Sequence, residues 1–312
     1  MVGWGIIGCG DVTEVKSGPP LSAVAGSRLE HVMRRTPGLA EDYARRHQVP
    51  RWSEDVAHLL ADPEVDVVYV ATPPASHLEH VLAAAAAGKH VLVEKVMGAH
   101  GAECEAMIEA CEHAGVKLWV AYYRRYLPRF TAVIEAVRSG AIGEVKATHT
   151  TWHDPTPVDL TAWRWNPQHN RGGVFYETAC HTLDFLDLLL GPFDGVAGHA
   201  SADLTSVVGS WTTGSGVRGT GSWQFGAGSE REETVLVGTE GTLSFSSFRA
   251  APIRITHGDV VTELPIGDPP HVHEPLIAAI VAELNGGEPC VSTGASGART
   301  NRVMDRILGG SA

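Results

Sequence analysis

Short apolar runs alternate with amphipathic stretches through the first third of the chain. Residues 2–7 form one such run, which ends in Gly8-Cys9-Gly10, and 29–33, 65–71, 88–94 and 117–121 form others. Helical patterns lie between them at 38–47, from Trp52-Ser53-Glu54-Asp55 to about Leu60, at 77–87 and at 101–114. Apolar strands separated by helices predict a parallel sheet covered on both faces, a Rossmann-type α/β domain over residues 1–121. After Tyr122 the pattern changes. A helix at 128–138 and a strand at 144–153 precede an irregular, tryptophan-rich loop at 154–170. Alternating runs then follow at 196–204, 217–225, 233–237, 242–248, 253–257 and 260–264, joined by glycine-rich turns. These predict successive antiparallel strands in a second α/β domain, residues 122–312. Helices at 274–285 and near 295–308 complete it, the last packing back against the body.

Composition narrows the class. With 312 residues, 44% apolar and 19% charged, the chain reads as one or two globular domains. A formal charge of −12 argues against a nucleic-acid backbone as the main partner, yet leaves room for a local anion site. No apolar run reaches the length of a bilayer span, and the opening residues read as a strand rather than a signal peptide, so no membrane partner is expected. The five cysteines, Cys9, Cys104, Cys111, Cys180 and Cys290, are an odd and dispersed set. Such a set fits a reducing, cytoplasmic setting, and Cys104 and Cys111, at helical spacing in an apolar pattern, read as buried thiols rather than ligands.

Candidate chemistry gathers where the strands end. Gly8-x-Gly10-x-x-Thr13 keeps two of the three glycines of the dinucleotide fingerprint. The first allows a tight turn and the second lets backbone approach a pyrophosphate, so Thr13 alters helix packing rather than phosphate binding. Gly8 and Gly10, with Asp11 and Val12 after them, form the candidate cofactor turn. Arg34-Arg35-Thr36 follows the second strand, where an arginine can accommodate a 2′-phosphate, and leans toward NADP over NAD; the alternative is a solvated basic turn. Thr72 and Pro73 leave the next strand and can cover the cofactor. His77, at the mouth of the following helix, either contacts cofactor or substrate or is bonded locally. Glu94 and Lys95 end the strand of residues 88–94 at the carboxyl edge of the sheet, where such folds bind ligands. Lys95 there faces a small substrate beside a nicotinamide ring.

Residues 5–10 (Gly-Ile-Ile-Gly-Cys-Gly), Thr72-Pro73-Pro74 with His77, Ala87-Gly88-Lys89-His90-Val91, Glu94-Lys95, Gly172-Gly173 through Asp184 and Gly238-Thr239-Glu240-Gly241-Thr242 occur in this order. The chain thereby resembles, over essentially its full length, the glucose–fructose oxidoreductase/inositol dehydrogenase/rhizopine-catabolism (Gfo/Idh/MocA) family. The resemblance implies an N-terminal Rossmann-type parallel sheet followed by an α/β domain with a large, mostly antiparallel open sheet, commonly used to form a homodimer or homotetramer. Family members place proline after the glutamate–lysine pair, often through a cis bond that aims the lysine, whereas this chain has Val96. Tyr122-Tyr123-Arg124-Arg125-Tyr126 resembles the family's linker near the active site, with Arg124 a substrate-facing candidate; the alternative is that the arginines pair with acids. Trp163-Arg164-Trp165 resembles a segment near cofactor and substrate, with Trp163 and Arg164 assigned to the cofactor and Trp165 to the substrate. On a helix, Glu177, His181 and Asp184 share one side. The family normally has aspartate, histidine and aspartate there, so glutamate at position 177 keeps the charge and lengthens the reach.

These residues together predict reversible hydride transfer between NAD or NADP and a carbohydrate, polyol or related hydroxy/keto compound. His181 accepts the alcohol proton, Lys95 holds the oxygen, Glu177 orients His181, and Asp184 binds a substrate hydroxyl or supports the site from behind. No metal is required, and His271 and His273 read better as caps or substrate contacts than as half of a metal site. Two other readings use the same residues: NAD-dependent glycoside cleavage through transient oxidation, and a noncatalytic dinucleotide-binding sugar sensor.

Overall fold

The computed structural model describes residues 1–159, 161, 162, 165 and 171–309. The chain forms two compact units, Met1–Tyr123 with Pro269–Ala298, and Arg124–Asp268 with Arg299–Ala312.

The first unit is built on β1 (Val2–Ile7), followed by the short helices α1 (Asp11–Val15) and α2 (Pro20–Ala23). The alternation continues through β2 (Ser27–Met33), α3 (Leu39–His47), β3 (Arg51–Ser53), α4 (Val56–Leu60) and β4 (Val67–Val70). It ends with α5 (His77–Ala86), β5 (His90–Val93), α6 (Gly101–His113) and β6 (Leu118–Val120). All six strands are parallel, in the order β3-β2-β1-β4-β5-β6. Every residue of β1 and β4 is buried, as expected for strands with both faces covered.

The sequence pattern starts a helix at Trp52-Ser53-Glu54-Asp55. Instead residues 51–53 form an edge strand, and Asp55 caps α4 by accepting from the Ala57 amide at 2.9 Å. The edge is pinned by buried polar groups: His31 lies 2.9 Å from Asp62 Oδ2 and 3.1 Å from Ser53 Oγ, and Arg51 Nε donates to the same Asp62 oxygen at 2.5 Å.

Residues 269–298 return to this unit, whereas the sequence alone assigns them to the second domain. The reason is backbone pairing. The Val120 amide donates to Ser292 O at 3.0 Å, Ser292 Oγ donates to Val120 O at 2.7 Å, and Trp119 bridges Thr293.

The second unit comprises α7 (Pro128–Arg138), β7 (Val145–Asp154), α8 (Gly173–Leu190), β8 (Phe193–Ala200), β9 (Ser206–Thr213), β10 (Arg218–Phe225), β11 (Arg231–Gly238), β12 (Thr242–Phe245), β13 (Ile253–His257) and β14 (Val260–Leu264). Two helices complete the chain, α9 (Glu274–Leu284) in the first unit and α10 (Gly294–Ile307). The eight strands are ordered β14-β13-β12-β11-β7-β10-β9-β8, and only β7–β10 is a parallel pair. The expected mostly antiparallel open sheet is therefore present. Its inner face carries Trp211, Trp223, Phe225, Leu236 and Phe245, all buried. Edge-to-face contacts of Phe185 with Phe130 at 4.8 Å and with Phe245 at 5.4 Å join α7 and α8 to that face. Gly209 is glycine for space: a Cβ there would sit 3.0 Å from two Ile307 side-chain carbons where α10 ends on the sheet. No helix among the described residues is long and apolar enough to cross a membrane.

Candidate active site

In the first unit the strand order runs outward in opposite directions from β1 and β4, which leaves a crevice beyond their carboxyl ends. Gly8 and Thr72 leave those two strands and meet across it. Gly8 has φ +90°, and a Cβ on it would lie 2.7 Å from Thr72 Cγ2, so both backbone conformation and space require glycine. At Gly10 the surroundings are open, the nearest atom to a built Cβ being Arg34 Nη1 at 3.7 Å. This bare, open turn fits the close approach of a pyrophosphate. Thr13 stands where the fingerprint has its third glycine. Its buried hydroxyl donates to Gly10 O at 2.8 Å and accepts from the Gly10 amide at 2.9 Å, bracing the turn from behind. Asp11 and Val12 begin α1 directly after it. Arg34 Nη1 donates to Cys9 O at 3.2 Å and so lies over the turn, while Arg35 is exposed. Burial pushes the Cys9 thiol up to about 11, which leaves it without thiolate reactivity near neutral pH.

Thr72 and Pro73 form the loop after β4, and Ser76 Oγ donates to Thr72 Oγ1 at 2.9 Å. His77 is fully buried behind this loop. Its Nε2 lies 2.8 Å from Thr72 O, and its Nδ1 lies 3.0 Å from Val96 O and 3.1 Å from Met97 O. Both ring nitrogens thus engage backbone, as in the locally bonded alternative, and tie the Thr72 loop to the segment after Lys95. Burial draws the His77 pKa below its ordinary value, against the pull of those carbonyls.

Glu94 and Lys95 follow β5 at the same carboxyl edge. The Glu94 carboxylate accepts from Tyr69 OH at 2.5 Å and from the Lys95 amide at 3.1 Å, with His273 Nε2 at 3.4 Å. At the last distance no well-formed hydrogen bond is made. Burial alone would raise the Glu94 pKa, but His273, the Lys95 charge and the Tyr69 hydroxyl reverse that and hold it at about 2. Burial and the neighbouring Glu94 charge push the Tyr69 phenol well above its usual range. Lys95 itself is half-buried, and the Lys95–Val96 peptide is cis.

In the second unit, α8 carries Glu177, His181 and Asp184 on one side, but their partners come from the segment 124–125. Arg124 Nη1 lies 2.5 Å from His181 Nδ1. Glu177 is half-buried, one turn earlier on the helix. Arg125 grips Asp184 through two oxygens, at 2.8 and 2.7 Å, and both side chains are at most 2% exposed. Asp184 is therefore engaged by Arg125 rather than open to a substrate hydroxyl, and this pairing lies within the second unit. Burial pushes its carboxyl up, with Arg125 opposing. Trp165 packs edge-on against Phe225 at 5.5 Å. Trp163 and Arg164 lie outside the described residues.

Sequence reasoning missed Tyr69 altogether. It lies within the apolar run of β4 and reads as core, although the inward register of a β4 residue beside β5 brings its hydroxyl to Glu94. His273 was noticed only as a cap or possible ligand, because nothing in its sequence neighbourhood shows that residues 269–298 return to β5's unit.

Comparison with known proteins now identifies this arrangement. Residues 2–122 match the family described as "Oxidoreductase family, NAD-binding Rossmann fold", and residues 130–244 match the "GFO/IDH/MocA C-terminal domain". The chain belongs to the Gfo/Idh/MocA oxidoreductase family. Oxidoreductase P35 of Formosa agariphila is 33% identical over 99% of this chain and 98% of its own length. The 1,5-anhydro-D-fructose reductase of Ensifer adhaerens is 27% identical, covering 94% of this chain and 91% of that protein. The crystal structure of an aldose-aldose oxidoreductase from Caulobacter crescentus, complexed with glycerol, superposes with a TM-score of 0.87 at 26% identity, covering 98% of this chain and 96% of that one. As a Gfo/Idh/MocA member with an NAD-binding Rossmann domain, the protein is an NAD(P)-dependent oxidoreductase.

Proposed function

We propose that the protein interconverts an alcohol and a carbonyl group on a sugar, polyol or related hydroxy/keto compound, with Lys95 and His181 acting on the reacting oxygen. The observation that carries this reading is the position of Lys95. It leaves β5 on the carboxyl edge of the sheet whose β1 and β4 ends form the glycine cradle, and Glu94 binds its backbone amide at 3.1 Å. Relatives named for anhydrofructose and aldose chemistry support a carbohydrate-type substrate.

Gly8, Gly10, Asp11 and Val12 hold the cofactor's pyrophosphate, with Thr72 and Pro73 on the facing side of the crevice. The nicotinamide supplies the hydride acceptor or donor, and the protein supplies alignment and proton handling. Arg34, lying over the glycine turn, and the exposed Arg35 favour NADP through charge-assisted bonds to a 2′-phosphate. His77 acts through backbone, by holding the Thr72 loop against Val96 and Met97.

A panel of sugars, polyols and their keto forms, assayed with both cofactors by nicotinamide absorbance, tests the proposal. It predicts a substrate-dependent absorbance change. Glycoside consumption with no net absorbance change would favour the hydrolytic reading. Tight cofactor binding without turnover across the panel would favour the sensor.

A further inference from the structure

Helix α1 has only five residues, too few to hold itself in place. Its first turn is tied to the glycine turn, since the Thr13 and Glu14 amides donate to Gly10 O at 2.9 and 3.1 Å. Whatever fixes its carbonyl end, about 9 Å further along the axis, therefore also fixes the backbone of the turn. The last carbonyls of a helix have no partner inside it. Here they are met from three directions, all within the first unit. Tyr43 OH donates to Thr13 O at 2.8 Å, and Ser17 Oγ donates to Val12 O at 3.1 Å. The third direction is the segment that returns to this unit from residue 269 onward. There His271 Nδ1 lies 2.6 Å from Val15 O, and the His273 amide donates to Lys16 O at 3.3 Å. A carbonyl can only accept, so Nδ1 of His271 carries the hydrogen.

We propose that His271 is a positioning residue for the cofactor. By capping the carbonyl end of α1, it holds the Gly8-Cys9-Gly10 turn in the geometry that receives the pyrophosphate. The inference rests on the proposed cradle and goes beyond it, because His271 is 256 positions from Val15 in sequence and acts at the far end of the helix. Two features show how closely this end is built. A Cβ on Gly18 would lie 2.1 Å from Thr13 O and 2.4 Å from Tyr43 OH, so the chain leaves α1 where no side chain fits. Tyr69 OH lies 3.1 Å from Ser17 Oγ and donates to Glu94, which connects the same end to the carboxylate after β5.

The energetic link is preorganisation. A turn held in one conformation before the ligand arrives loses less freedom on binding. Where the binding-ready conformation is only fractionally populated, the apparent Kd rises accordingly. His273 is 1% exposed and anchors the returning segment, whereas His271 is half-buried. Loss of the His271 ring opens Val15 O to water and leaves the core intact, so its effect on the cofactor can be read apart from folding.

The test is a titration of full-length protein with NADPH and NADH, followed by nicotinamide fluorescence, and with ADP-ribose, followed by calorimetry. His271→Ala should raise Kd at least ~3-fold for all three ligands, the value of one neutral hydrogen bond, because all three carry the pyrophosphate. Its Tm should stay within about 4 °C of the unmodified protein. Asparagine places an amide N–H where Nδ1 stood, so His271→Asn should bind within ~2-fold of the unmodified protein. A rise below ~3-fold in His271→Ala, or an asparagine variant as weak as the alanine one, would overturn the cap as the cause. A weaker Kd that comes with a Tm fall beyond about 4 °C would make His271 a fold residue and overturn the positioning role. The titration needs no substrate, so it decides the proposal whether or not the sugar panel shows turnover. Failure of the unmodified protein to bind any of the three ligands would overturn the cradle itself.

Discussion

Asp184 offers a sharp separation between binding and structure. It lies on the same side of α8 as His181, yet its two oxygens accept from Arg125 at 2.8 and 2.7 Å. The side chains are 1% and 2% exposed. Replacing Asp184 with asparagine leaves the guanidinium buried, with Asp187 at 3.7 Å as a weaker partner that already binds Arg299 at 2.6 Å. Breaking one side of such a buried pair typically costs about 3–5 kcal/mol, because the remaining charge is desolvated without compensation. For a unit of this size that corresponds to a fall in Tm of roughly 6–20 °C. Denaturant unfolding of Asp184→Asn should show this loss, while KM in whatever variant remains folded should change less than ~3-fold. The double variant Arg125→Met/Asp184→Leu should be less destabilised than the single one, since both charges of the pair are removed together. A single-variant cost below about 1 kcal/mol, or a double variant equal to the sum of its parts, would refute the structural assignment.

Three further outcomes follow from the first unit. Arg34→Ala should lower the NADP/NAD ratio of kcat/KM by roughly 10- to 100-fold, the value of one or two charge-assisted bonds to phosphate; an unchanged ratio removes Arg34 from cofactor choice. Gly8→Ala forces a side chain into φ +90° and within 2.7 Å of Thr72 Cγ2. It should cost about 1–3 kcal/mol of stability and weaken cofactor binding in a fluorescence titration, and wild-type affinity would contradict the proposed cradle. Glu94, held at about 2 against an ordinary 4.5, contributes stability that is fully present above about pH 4.5 and is lost as pH falls toward 2. Glu94→Gln should therefore lose about 3 kcal/mol at neutral pH, and the difference from the unmodified protein should shrink through that acid window. A pH-independent difference in denaturation midpoints would rule out the titration as its source.

Much of the fold could be read from residue pattern because burial on both faces writes unbroken apolar runs, as in β1 and β4. Gly8 and Gly10 were legible for the same kind of reason: a turn that requires bare backbone permits few residue types. The pattern failed where strands are short or their inner face is small. β3 has only three residues, with Ser53 and Asp55 serving both strand end and helix cap. β9 alternates Val207, Gly209 and Trp211 inward, and Gly209 hides the period because Ile307 fills its space. At the candidate site, helical spacing put Glu177, His181 and Asp184 on one side, but it carries no information about residues 57 and 59 positions away. Arg124 and Arg125 supply those partners, and they change what His181 and Asp184 are able to do.

The central claim is that Lys95 and His181 act on the oxygen of a sugar-type substrate during nicotinamide-dependent redox chemistry. It is tested most directly by steady-state nicotinamide absorbance with the best substrate of the panel, comparing the unmodified protein with Lys95→Met and His181→Ala. Loss of at least ~100-fold in kcat/KM in each variant, with cofactor affinity retained, is the predicted result. Full activity in both variants would contradict it.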